Sequence, residues 1–226
     1  MGTNAAVHIA NYYLITYELI FIKNLINNNE LITLEKYRHT IRYLDDILSI
    51  DNTAFHSLLY NSTSVPTTGL YPPDLTIQLI DNKIPIHYMD IEIHLSNTLN
   101  TLTKKPFFYT AIHDKYNEPK YAHIPNIRYP HIISLISTSI GHNIISSQGY
   151  RFLRINTLRN NFIRDMTNLI STLIRKGYNI NTLLQVTHKF IKRASKRNTL
   201  YHVNYLTTYK TIEKRFKHLR AKPRPQ

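Results

Sequence analysis

The stretch Thr40-Ile41-Arg42-Tyr43-Leu44-Asp45-Asp46-Ile47-Leu48-Ser49-Ile50 decides the fold. Two short runs of β-branched and aromatic residues flank a pair of adjacent carboxylates. That pattern predicts a strand, a tight turn carrying Asp45 and Asp46, and a second strand. Asp is a common turn residue, so the pair can be no more than turn chemistry. An acidic turn raised above a sheet is also a seat for Mg²⁺, because hard oxygen ligands suit a hard cation. Asp45 and Asp46 are therefore the candidate catalytic and metal-binding residues.

Outward from the hairpin the chain reads as an α+β protein. Thr3 or Asn4 can cap a helix that runs to about Ile26, where Asn27-Asn28-Asn29 ends it. Tyr12 to Ile26 is apolar but carries Glu18 and Lys23, and it is shorter than the ~20 residues a membrane span needs. It is expected to be a buried core helix, and no membrane partner is expected. Residues 30–36 read as a connector. A short helix over 52–60, a loop over 61–73 and strands over 75–80 and 86–95 follow, the strands joined by a turn at Asp81-Asn82-Lys83. Phe107 to Ile112 is a further strand. Pro119, Pro125 and Pro130 make 113–131 a linker. From Ile132 the period becomes helical, with helices expected over 132–147, 158–176, 179–197 and 203–219. The domains so drawn are 1–112, with the acidic hairpin, and 132–226, a basic helical bundle with its tail.

Charge divides the chain more sharply than hydropathy. The net charge is +14 over 226 residues. Residues 1–149 hold 10 Lys and Arg against 12 Asp and Glu, and residues 150–226 hold 18 against 2. An excess confined to the last third is the electrostatic footprint of a polyanion partner. Arg151 and Arg154 sit three residues apart, on one face if the stretch is helical; Tyr150 and Phe152 beside them could stack on bases or sugars, although an aromatic in a helix is more often core. Arg159 lies off the apolar face of the next helix. Lys189, Lys192, Arg193, Lys196 and Arg197 form a stripe at helical spacing, and Lys214, Arg215, Lys217 and Arg220 extend it toward the C-terminus. Such contacts bind phosphates and carry little sequence information. The twelve His residues show no metal-ligand spacing, and the absence of Cys excludes disulfides and thiolate metal sites. Residues 1–11 do not form a charged stretch before an apolar core, so no secretory leader is expected.

The order of the short motifs adds a resemblance. Met1-Gly2-Thr3-Asn4, Tyr43-Leu44-Asp45-Asp46, Tyr71-Pro72-Pro73-Asp74, Tyr88-Met89-Asp90-Ile91-Glu92-Ile93, His113-Asp114-Lys115, His123-Ile124-Pro125 and Ser147-Gln148-Gly149-Tyr150-Arg151 follow one another in that order. In this order the chain, to about residue 190, resembles the second half of a retroelement-type reverse transcriptase, of the Penelope-like or a related non-viral lineage. The resemblance implies a partial polymerase palm followed by a helical thumb. It implies that Gly2, Thr3 and Asn4 lie under a templating base pair, that Asp45 is the main ligand of a catalytic Mg²⁺, and that Asp46 is a weaker partner. In that family another essential Asp comes from a motif upstream of the Gly-Thr-Asn element, and here no Asp precedes Asp45. Two metal ions about 4 Å apart need carboxylates from both motifs.

Two functions fit. One is a reverse-transcriptase-derived RNA-binding protein that does not polymerise. It would be a structural part of a ribonucleoprotein such as an organellar ribosome, with ribosomal RNA and ribonucleoprotein proteins as partners. The other is the C-terminal half of a split RNA-directed DNA polymerase. It would be completed by an N-terminal half in trans, with Mg²⁺ as cofactor and an RNA/DNA duplex as ligand. Residue usage matching AT-rich codons points to a mitochondrial location.

Overall fold

A computed structural model of the chain describes residues 4–52, 55, 70–72, 75, 83–98, 106–114, 119, 129–134, 138–196 and 204–217. Among them are six helices and two small antiparallel sheets, a mixed α+β content. The chain forms two compact units, Met1–Lys83 and Ile84–Gln226. The expected helix over 52–60, the loop over 61–73, the strand over 75–80 and the linker over 113–131 fall largely outside the described residues.

In the first unit, helix α1 spans Asn4–Asn27. It ends at the asparagine run, where Asn29 takes a left-handed φ of 60°. Asn tolerates that region because its short polar side chain bonds locally. The expected connector over 30–36 is instead a helix, α2, over Leu31–Tyr37. Its Leu34 and Tyr37 pack on Phe21 and Leu25 of α1, and that burial makes helix of a segment too short to stand alone. The hairpin follows as β1, Thr40–Tyr43, and β2, Asp46–Ser49. Thr40 faces Ser49 and Tyr43 faces Asp46. The turn is thus Leu44-Asp45, and Asp46 already belongs to β2.

The expectation that residues 12–26 are buried is corrected. Phe21 and Leu25 are buried, but Tyr12, Leu19 and Ile26 are 73%, 59% and 54% exposed. Counting apolar side chains shows how greasy a helix is, not how much of it a small unit can cover. The length estimate also changes, because Ala5–Asn27 is 23 residues, long and apolar enough to cross a membrane by composition.

The second unit begins with a three-stranded meander: β3, Ile86–Tyr88; β4, Ile91–Leu95; and β5, Phe108–Ile112. The residue pattern reads 86–95 as one strand and the resemblance matches Tyr88 to Ile93 to a strand pair; the segment is a hairpin. It folds back at Met89-Asp90, with His87 facing Glu92 and Tyr88 facing Ile91. Four helices follow: α3, Thr138–Ile155; α4, Arg159–Arg175; α5, Ile180–Lys196; and α6, Tyr205–Arg215. Three lie close to their expected bounds. The helix expected over 132–147 starts later and runs on through Arg151 and Arg154. Gly149 sits mid-helix, where a Cβ would come within 2.5 Å of Phe190 Cε1.

Local signals account for the helix ends. Gly177 at φ 86° closes α4, with Tyr178 N–H donating to Leu173 C=O at 3.1 Å and Gly177 N–H to Ile174 C=O at 2.9 Å. These two bonds are the Schellman pattern. Asn179 Oδ1 accepts from the Asn181 and Thr182 amides at the start of α5, and Asn204 Oδ1 caps α6 through Leu206 and Thr207. Phe162, Met166, Leu169, Ile170 and Leu173 of α4 meet Leu183, Leu184, Phe190 and Ile191 of α5 in one core, which Ile145, Phe152 and Ile212 complete. The sheet joins this core through β5: Thr110 N–H donates to Thr157 Oγ1 at 2.9 Å, and the Thr110 hydroxyl donates to Ile155 C=O. That tie places the three strands with the helices and divides the chain between Lys83 and Ile84. The sequence pattern puts the division at 113–131.

Candidate nucleic-acid interface and cleft

In the first unit the acidic hairpin is held from below. Arg42 points into the unit, its side chain 11% exposed, and its Nε lies 2.5 Å from Glu18 Oε1. Its other nitrogens donate to Glu18 Oε2 at 3.3 Å, to Asn11 Oδ1 at 2.9 Å and to Leu44 C=O at 3.2 Å. The Tyr71 hydroxyl donates to Glu18 Oε1 at 2.6 Å. The hydrogen bond to Glu18 raises the Arg42 pKa further despite the opposing effect of burial, so this cation stays charged. Burial first, then the bond to Glu18, pushes the Tyr71 phenol well above its ordinary value.

Above this anchor Asp45 is exposed and Asp46 half-buried. Among the described residues no third carboxylate or imidazole joins them in a cluster that could hold a cation. As placed, the pair does not make the donor set of a two-metal site. Asn4 is the first residue of α1, and Gly2 and Thr3 lie outside the described residues.

In the second unit the basic residues fall into two groups. Lys189, Lys192, Arg193 and Lys196 line the exposed side of α5, opposite its buried Leu183, Thr187, Phe190 and Ala194. The two faces follow from one period of 3.6 residues. Lys210, Lys214 and Arg215 of α6 are exposed, as are Lys217 just after it and Arg154 at the end of α3. Arg159 is half-buried and donates to Thr208 Oγ1 at 3.1 Å. Arg197 and Arg220 lie outside the described residues.

Arg151 behaves differently. Its guanidinium reaches Asp90 Oδ2 at 2.6 Å and Gln148 Oε1 at 3.2 Å, so part of its charge is spent inside the unit. Phe152 is buried in the core, and Tyr150 stands edge-on to Phe190 with ring centres 5.1 Å apart. Of the two readings of these aromatics, base stacking and core, the structure takes the second: both pack among the helices.

A cleft of about 940 Å³ opens beside Arg151, bordered by Arg164, Arg175 and Lys176 as well. Arg164 is paired with Asp165 at 2.9 Å, and Arg175 donates to Thr172 Oγ1 at 3.2 Å.

The same cleft holds a group that residue spacing does not reveal. His87, Glu92 and His113 each present a ligand atom, all within 4.8 Å of one another. The histidines show no ligand spacing along the sequence, yet folding brings His87 and His113 together with Glu92. The signal was present but indirect: with a two-residue turn at Met89-Asp90, His87 and Glu92 must oppose each other across the strands. His87 Nε2 lies 3.1 Å from Glu92 Oε1, and His94 Nε2 lies 3.0 Å from Glu92 Oε2. Burial alone would raise the Glu92 carboxyl, but hydrogen bonds from His94 and His87 outweigh it and hold its pKa below the usual value.

No family model, curated protein or solved structure matches the chain.

Proposed function

We propose that this chain is an RNA-binding protein derived from a reverse transcriptase, acting as a structural component of an organellar ribonucleoprotein such as a mitochondrial ribosome. In this reading the helices of the second unit are a retained thumb, and the hairpin of the first unit is part of a former palm. One observation carries the binding function: Lys189, Lys192, Arg193 and Lys196 stand together on the exposed side of α5, whose opposite side is locked in the core. A rigid, unbroken row of cations suits a phosphate backbone and reads no bases. The test is RNA affinity as a function of salt, for the natural chain and for a variant with these four residues changed to Ala. Loss of affinity with folding intact supports the reading, and unchanged affinity overturns it.

A second reading is favoured by the first unit. Ile9, Tyr12, Leu19 and Ile20 of α1 are exposed apolar side chains, while Glu18 on the same helix is tied to Arg42 and Tyr71 within the unit. An exposed apolar face of this kind is a surface for a partner. In a split polymerase that partner is a polypeptide carrying the fingers and the upstream Asp, with Mg²⁺ bound at the completed site. Purification of the native protein with its partners separates the two. Ribosomal RNA and ribosomal proteins support the structural role. A fingers-bearing polypeptide, followed by primer extension that Asp45→Asn abolishes, supports the polymerase.

A further inference from the structure

We propose that His87, Glu92 and His113 form a binding site for one divalent transition-metal ion of the Zn²⁺ type. The inference does not depend on RNA binding, nor on the Asp45-Asp46 hairpin. Two imidazoles and one carboxylate are a donor set that suits Zn²⁺ and its neighbours better than Mg²⁺. Three protein ligands leave one position of a tetrahedral ion open, as in sites where the metal keeps a water or substrate. All three residues line the cleft, so an ion held by them would be reached from it.

The scaffold supplies the geometry. Register places His87 of β3 directly opposite Glu92 of β4. Their 3.1 Å separation is close to the ~3.3 Å between two ligands on a tetrahedral ion with bonds of 2.0–2.1 Å. His113 follows β5, and its amide donates to Asp90 C=O at 2.9 Å, which fixes the backbone beside the hairpin turn. Its ring is stacked on His87, with centres 4.0 Å apart and planes 19° apart. The widest ligand spacing is at most 4.8 Å, so binding must draw the ligands together by about 1.5 Å to reach tetrahedral spacing. His87 is 41% exposed and has room to turn.

An outer layer holds the carboxylate. His94 bonds the second oxygen of Glu92 at 3.0 Å, and its ring lies flat on Tyr109, with centres 4.8 Å apart and planes 6° apart. Groups that orient a ligand in this way commonly contribute 10–100-fold to metal affinity. His94 is thus a positioning residue.

The test uses the full chain, stripped with a chelator and titrated with Zn²⁺ by calorimetry in a non-coordinating buffer, with Co²⁺ absorption as a second probe. The expected result is one ion per chain, with strong visible Co²⁺ bands that mark a tetrahedral site. His87→Ala and His113→Ala should each weaken binding at least tenfold and bleach those bands, and Glu92→Gln should do the same. His8→Ala, on exposed α1, should change neither. Circular dichroism of each variant checks folding, and Glu92→Gln, of nearly natural shape, keeps the test valid if a His variant unfolds. Absence of a one-to-one site overturns the proposal. So does binding that survives the His87, His113 and Glu92 changes, because it would then come from other histidines.

Discussion

Arg151 of α3 meets Asp90 of the β3–β4 turn at 2.6 Å, across 61 positions of sequence. The pair ties the three-stranded sheet to the first helix of the core. It also explains why a residue that looks like a phosphate ligand in the sequence is engaged elsewhere. Both side chains are about 40% exposed, so the coupling should be that of a surface pair, about 0–1 kcal/mol in a double-mutant cycle. Asp90→Ala should release the guanidinium and tighten RNA binding. Fluorescence anisotropy with a labelled RNA checks this. Weaker binding by Asp90→Ala would show that the pair assists the interface.

The stripe on α5 makes a numerical prediction. Changing Lys189, Lys192, Arg193 and Lys196 to Ala removes four potential phosphate contacts. For single-stranded RNA each contact adds about 0.7 to the slope of log affinity against log salt, so the slope should fall by about 3. A slope that does not move would place the RNA on another face.

Gly149→Ala tests the approach of α3 to α5. Ala is the better helix former by about 1 kcal/mol, so an open site would gain stability. Here the new methyl meets the Phe190 ring at 2.5 Å, and Phe190 is itself 2% exposed and cannot swing clear. Overpacking of this kind typically costs about 1–3 kcal/mol. The net effect should be destabilising, read from urea unfolding of the full chain. A stabilised variant would mean that the two helices separate easily.

Alkaline pH should loosen the first unit. The Tyr71 phenol, buried and bonded to Glu18, ionises at a higher pH in the folded than in the unfolded chain. A raised folded pKa gives stability that is fully present below the unfolded value, about 10 for a phenol. It is lost as pH rises from there through the folded value. Thermal melts should fall above about pH 10, and Tyr71→Phe should flatten that fall. Tyr37, raised by burial in the same small core, should leave a remainder. If Tyr71→Phe keeps the full alkaline slope, the phenol is not the group responsible.

Both hairpin turns place a bulky residue at positive φ just before an Asp: Leu44 at 55° before Asp45, and Met89 at 56° before Asp90. An L-residue pays about 1–2 kcal/mol for the left-handed region. Tyr-Leu-Asp and Tyr-Met-Asp are therefore held as turns by the strands on either side. In the first case the alternation of residues 40–50 made the hairpin legible in the sequence. In the second the continuous run Ile86 to Leu95 read as one strand, because Met89 is not a turn former and only pairing with β5 and Ile93 of β4 with Ile86 forces the reversal.

By itself, the sequence determined what acts over a few residues. The spacing of Phe162, Leu169 and Leu173, the stop at Gly177, the cap at Asn179 and the basic row on α5 are all local, set by the helical period and by backbone groups within one turn. Tertiary structure decided what each side chain meets. His113 joins His87 and Glu92, Arg151 turns to Asp90, Phe152 enters the core, and α1 keeps an apolar face outside its small unit. Those outcomes depend on partners tens of residues away, and on how much surface each unit can bury.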